Sequence, residues 1–125
     1  MIYLDTHVVI WLHALGGDAL SPGATHALEQ ADDIRISPIV RLELQYLFEL
    51  GRVTEPASTV VDALHTGLGL TVCAAPFPAV SREADRHSWT RDPFDRLIVA
   101  QASLHEAPLV TKDEVLHSHY PASVW

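Results

Sequence analysis

The chain is poor in the residues that several common functions need. It has a single cysteine, Cys73, so no internal disulfide can form. The apolar run Leu70-Thr71-Val72-Cys73-Ala74-Ala75 makes that thiol a core residue in a reducing compartment. No run of eighteen apolar residues is present, and an acid stands at position 5 where a leader would be basic. A membrane span and a secretion signal are therefore not expected, and a cytoplasmic location is. Basic side chains are scarce: 8 Lys and Arg face 16 Asp and Glu, for a net charge of −8. Indiscriminate binding to nucleic-acid backbone needs the opposite balance. Concentrated acids that hold cations beside a local basic rim fit it, as does a basic protein partner. There is no internal repeat, low-complexity tract or linker. Gly67-Leu68-Gly69 is too short for a phosphate loop.

What is present suits one folded domain over residues 1–125, with 48% hydrophobic and 19% charged residues. Met1 to Leu4 is a short apolar run closed by Asp5-Thr6, after which Val8 to Leu12 reads as a buried helix. Gly16-Gly17-Asp18 breaks it, and Ser21-Pro22 opens a helix to about Gln30. Ile34 to Ile36 is a strand. Ser37-Pro38 repeats the cap-plus-proline signature for a helix to Leu50, closed by Gly51. Glu55-Pro56 opens another to about His65. Leu70 to Cys73 is a third strand, Pro76-Phe77-Pro78 a loop, and Ala79 to His87 a helix. Leu109-Val110 is a fourth strand, followed by a short helix and an edge strand near Trp125. Strands alternating with helices imply a parallel sheet covered on both faces. Such sheets place their sites beyond the carboxyl ends of the strands.

The stretch Trp89 to Ala102 organises the rest. Pro93 suits the first turn of a helix, which puts Asp92 at the N-cap and Asp95 at the third helical position. Two acids thus stand at the positive end of a helix with an apolar body, where both can also serve as ordinary dipole and cap partners. Asp5 follows strand one and Asp113 follows strand four. Glu43 is more telling, because its neighbours at helical spacing are Ile39, Val40, Tyr46 and Leu47. Arg41, Gln45 and Glu49 form a separate polar stripe. An acid on a buried face needs an ion pair or a metal.

If four of these acids converge, each pair about 5 Å apart repels by roughly 3 kcal/mol at an effective dielectric near 20. A cation relieves that repulsion, and all-oxygen ligation favours Mg²⁺ or Mn²⁺ over zinc. A divalent ion held by carboxylates is suited to phosphodiester cleavage.

The ordered set Leu-Asp-Thr-His-Val-Val-Ile-Trp, Ser-Pro-Ile-Val-Arg-Leu-Glu-Leu, Asp-Pro-Phe-Asp-Arg-Leu-Ile-Val-Ala-Gln-Ala and Leu-Val-Thr-Lys-Asp resembles PIN domains of the toxin type found in VapBC toxin–antitoxin pairs. The resemblance implies a three-layer α/β/α sandwich around a parallel sheet of four or five strands. It also implies a metal-dependent ribonuclease. Asp5, Glu43 and Asp95 match the core acids and Asp113 a more variable fourth position. Asp92 matches a subgroup acid that caps and supports, and Thr6 and Thr111 match small hydroxyl residues beside the site. Family members commonly form homodimers and are silenced by an antitoxin whose tail covers the acidic pocket. Arg91, Arg96 and Lys112 neighbour the acids and are the expected phosphate contacts.

Other readings are weaker. A phosphorylated receiver domain would need an acid at the end of strand three, where the chain has Val72-Cys73-Ala74. The histidines lack zinc-finger spacing. Trp11 and Trp89 could stack bases, although core packing is the commoner use of such rings. A catalytically idle PIN scaffold that binds RNA or protein stays open.

Overall fold

Each strand is short and each helix start carries its own signal. The computed structural model describes residues 1–125. β1 (Ile2–Leu4) leads into α1 (Thr6–Leu15), and a 3₁₀ turn (Gly16–Ala19) connects to α2 (Pro22–Gln30). β2 (Ile34–Ile36) is followed by α3 (Pro38–Glu49) and α4 (Ala57–Leu68), then β3 (Thr71–Val72) by α5 (Phe77–Ala84) and α6 (Pro93–Leu104). β4 (Leu109–Val110), α7 (Glu114–His119) and β5 (Ser123–Val124) close the chain.

Three of the helix starts follow from a side-chain cap ahead of a proline. Ser21 accepts from the Ala24 amide, Ser37 from Ile39 and Asp92 from Asp95, each ahead of a proline in the first turn. α4 runs past the expected end at His65 to Leu68. Gly69 stops it there in the left-handed conformation at φ 70°, donating its N–H to the His65 carbonyl. The expected loop Pro76-Phe77-Pro78 is instead a helix start. Pro78 falls in the first turn, where its missing N–H leaves no bond unmade, and α5 ends at Ala84, short of His87.

All five strands pair in parallel in the order β3-β2-β1-β4-β5. The order reverses between β1 and β4, and that reversal opens a crevice at the carboxyl end of the sheet. α1, α3 and α4 pack on one another, α5 packs along α6, and α3 meets α6. The result is an α/β/α sandwich. Its main core of 23 buried residues includes Tyr3, Leu4, Val8, Ile36, Leu44 and Ile98. A smaller cluster of Val80, Ala84 and Ala100 seals α5 to α6.

On α3 the buried positions are Val40 and Leu44. Tyr46, expected on the buried stripe, is exposed and stacks on Phe94 with ring centroids 6.0 Å apart. Glu43 therefore sits half-buried at the margin of the core. No helix is long and apolar enough to cross a membrane.

Candidate active site

The register of two strands fixes the centre of the site. Leu4 pairs with Val110, and the Asp5 amide donates to the Val110 carbonyl at 3.0 Å. Asp5 and Thr111 therefore leave the sheet side by side at the reversal of strand order. Asp5 is only 4% exposed. Its Oδ1 accepts from the Thr6 amide at 2.8 Å and its Oδ2 from the Thr111 hydroxyl at 2.7 Å. The carboxylate is thereby held as the N-cap of α1 with both oxygens fixed.

Thr111 also accepts from the Asp113 amide at 3.1 Å. Asp113 in turn caps α7 by accepting from the Val115 and Leu116 amides. Asp95 enters from the first turn of α6, with Asp92 Oδ1 accepting its amide at 3.1 Å. Glu43 comes from the middle of α3. Asp5, Glu43, Asp95 and Asp113 line one cleft of about 140 Å³ together with Thr6, His7, Ile10 and Leu47. Asp92 is exposed at the helix cap and does not line it.

The electrostatics follow from this crowding. Burial, then the carboxylates of Asp92, Asp5, Asp113 and Glu43, push the Asp95 carboxyl up to about 7. Burial is also the main cause raising Glu43; the Thr6 hydroxyl opposes it, and Asp5 and Asp92 add to it. Thr6 Oγ1 is itself buried and faces the Glu43 carboxyl without a well-formed hydrogen bond. The donor set is all oxygen, two of its acids are raised, and one buried hydroxyl lacks a well-formed hydrogen bond. These features fit a hard divalent cation. As the side chains stand, no group of three or more His, Cys, Asp or Glu is gathered tightly enough to grip one.

The basic residues differ from one another. The Arg96 Nε donates to the Ala84 carbonyl at 2.8 Å, which ties α6 to the end of α5. Arg91 is exposed and free of ion pairs. The Lys112 amide donates to His7 Nε2 at 3.0 Å. His7 Nδ1 then lies 3.5 Å from Asp5 Oδ2. His7, one of the histidines without zinc-finger spacing, lines the cleft and is not among the residues expected there. Its place two residues after Asp5, in the first turn of the helix that acid caps, was the available signal.

The sequence profile of the PIN domain matches residues 2–120. The chain belongs to the PIN domain family. This PIN domain is 36% identical over 129 aligned positions to Ribonuclease VapC22 of Mycobacterium tuberculosis (strain ATCC 25618 / H37Rv), covering 99% of the chain and 98% of that protein. Among the solved structures that share its fold are two that it matches along its whole length. One is a toxin-antitoxin complex from Klebsiella pneumoniae, at a TM-score of 0.66 and 20% identity, covering 100% of this chain and 97% of that one. The other is VapBC2 from Rickettsia felis bound to a DNA fragment from their promoter, at 0.63 and 22%, covering all of both chains.

Proposed function

We propose that this PIN domain, acting as one unit over residues 1–125, is the endoribonuclease toxin of a toxin–antitoxin pair. The observation that carries the reading is the convergence of Asp5, Glu43, Asp95 and Asp113, from four separate segments, on one cleft at the sheet's reversal point. The relative named a ribonuclease, similar over nearly the full length of both chains, supports it.

In this reading Asp5, Glu43 and Asp95 hold a Mg²⁺ ion, or Mn²⁺ in its place, and Asp113 helps to place a second. When bound, the ion supplies an acidified water and neutralises charge that develops on the phosphate. The chain's own residues do the positioning. Thr6 and Thr111 fix Asp5, so its oxygens need no reorganisation during the reaction. Ile10 and Leu47 wall the cleft with apolar surface, which strengthens every charge interaction inside it. Asp92 holds the first turn of α6 and with it the direction of Asp95. Arg91 offers an exposed cation for RNA phosphate. In-line attack of water on an RNA phosphodiester leaves a 5′-phosphate and a 3′-hydroxyl.

Two grooves suit the proposed protein partners. One of about 220 Å³, lined by Ile10, His13, Leu44, Arg52 and Val60 among others, shares Ile10 with the acidic cleft and suits an antitoxin segment. Another of about 280 Å³ lies between α3, α5 and α6, flanked by Leu42 at 56% and Phe77 at 66% exposure. A homodimer in the cytoplasm is the natural cover for it.

Purified protein should cleave RNA in Mg²⁺ and stop in excess chelator, and Asp95→Asn should be inactive yet folded. Full cleavage under either condition overturns the assignment. An idle scaffold that binds RNA or protein without cutting is the second reading, and RNA binding without divalent-dependent cleavage would favour it.

A further inference from the structure

Lys112 is the chain's only lysine, and its setting is unusual for a cation beside four acids. It makes no ion pair, whereas Arg35 pairs with Asp33 and Arg86 with Glu83. Its Nζ lies 5.7 Å from the centroid of the Trp11 ring and 5.9 Å from that of Trp125. The two indoles meet edge to face at 5.7 Å. Trp125 packs against the main core, and Trp11 stands outside that packing, its ring 4.9 Å from that of His7. The backbone is fixed as well, since His7, a residue of the cleft wall, accepts the Lys112 amide.

An aromatic face attracts an ammonium without cancelling its charge, as a carboxylate would. The ammonium over the indole pair therefore keeps its positive charge, on a residue whose backbone is tied to His7 of the cleft wall and whose chain neighbours, Thr111 and Asp113, belong to the site. In a chain of net charge −8, a polyanion needs such a local point of attraction.

We propose that Trp11, Trp125 and Lys112 form a nucleotide subsite at the lip of the cleft. Lys112 binds the phosphate of a nucleotide next to the scissile bond, and the two indoles act as positioning residues that hold its ammonium there. The proposal rests on the ribonuclease reading and adds to the phosphate contact expected at Lys112 the two indoles that position it.

A single lysine gives a single side-chain signal, so the test is direct. In Asp95→Asn protein labelled with ¹³C,¹⁵N-lysine, the Lys112 ε-methylene is expected upfield of a free lysine, through the indole ring currents. Addition of a ten-nucleotide single-stranded RNA should move it. By fluorescence anisotropy, Lys112→Met should weaken that RNA roughly 5- to 10-fold and reduce the slope of log affinity against log salt by about 1. Trp11→Leu should reproduce the loss, and Trp11→Phe should largely restore binding. A lysine signal at its free position, or one unmoved by bound RNA, overturns the subsite. So does equal binding by Lys112→Met, which leaves the ribonuclease reading standing. No RNA binding by any form removes both.

Discussion

Thr111 Oγ1 and Asp5 Oδ2 stand 2.7 Å apart although 106 positions separate them in the chain. That bond closes the crevice between β1 and β4, and the same hydroxyl accepts the amide of Asp113. Thr111→Val keeps the shape and removes both bonds, leaving a buried carboxylate oxygen unsatisfied. A loss of about 1.5–3 kcal/mol in urea unfolding is expected, with cleavage reduced roughly 10- to 100-fold. Thr111→Ser should recover most of both. A Val variant as stable and active as the parent would remove Thr111 from the site.

Thr6 makes the opposite case. Its buried hydroxyl makes no well-formed hydrogen bond and only eases the Glu43 carboxylate, so Thr6→Val should cost the metal-free protein no more than about 1 kcal/mol and push the Glu43 carboxyl further up. If that hydroxyl serves the cation or its water, the same variant should lose much of the thermal stabilisation given by Mg²⁺. A large loss of stability in chelator, with the response to Mg²⁺ intact, would make Thr6 purely structural.

The raised Asp95 carboxyl gives a pH dependence with a definite sign. Its folded value of about 7 lies above the ordinary 3.8, so between those values the native state holds a proton that the unfolded chain has lost. Stability of the metal-free protein should therefore fall as pH rises from about 4, and the loss should level off above about 7. Partial solvent exposure keeps the effect to about 1–2 kcal/mol. Asp95→Asn should be more stable than the parent at pH 8 in chelator and the same near pH 4. Chemical denaturation at the two pH values reads this directly. A parent protein more stable at pH 8 than its Asn variant would reverse the electrostatic picture.

The exposed apolar face of α3 and α5 carries a prediction about assembly. Leu42→Glu with Phe77→Glu should convert a dimer to a monomer in sedimentation analysis without lowering the unfolding free energy of the monomer by more than about 0.5 kcal/mol. A parent protein that already sediments as a monomer at high micromolar concentration would remove the proposed dimer face.

Much of this was legible in the chain because the signals were local. Ser21-Pro22, Ser37-Pro38 and Asp92-Pro93 each write a cap and a first turn into adjacent residues, and all three helices begin there. The loop expected at Pro76-Phe77-Pro78 is a helix start because a proline in the first turn opens a helix as readily as one elsewhere breaks it, and Pro78 falls in that turn. Tyr46 was misplaced for a different reason. Helical spacing alone does not say which side of an amphipathic helix meets its neighbours, and Val40 and Leu44 are the positions that do. The acids could be named individually from strand ends and caps. Their shared cleft depends on the parallel register Leu4 to Val110, which no local pattern encodes. The Trp11–Lys112–Trp125 arrangement was illegible for the same cause, since it joins α1 to two later segments across the sheet's reversal point.

Calorimetric titration of Mn²⁺ into the metal-free protein and into Glu43→Gln, at pH 7.5, tests the central claim most directly. Expected is saturable binding to the parent, weakened at least roughly tenfold by the loss of one charged ligand from α3. No saturable binding to the parent, or equal binding to both proteins, would contradict a cation site assembled from Asp5, Glu43, Asp95 and Asp113.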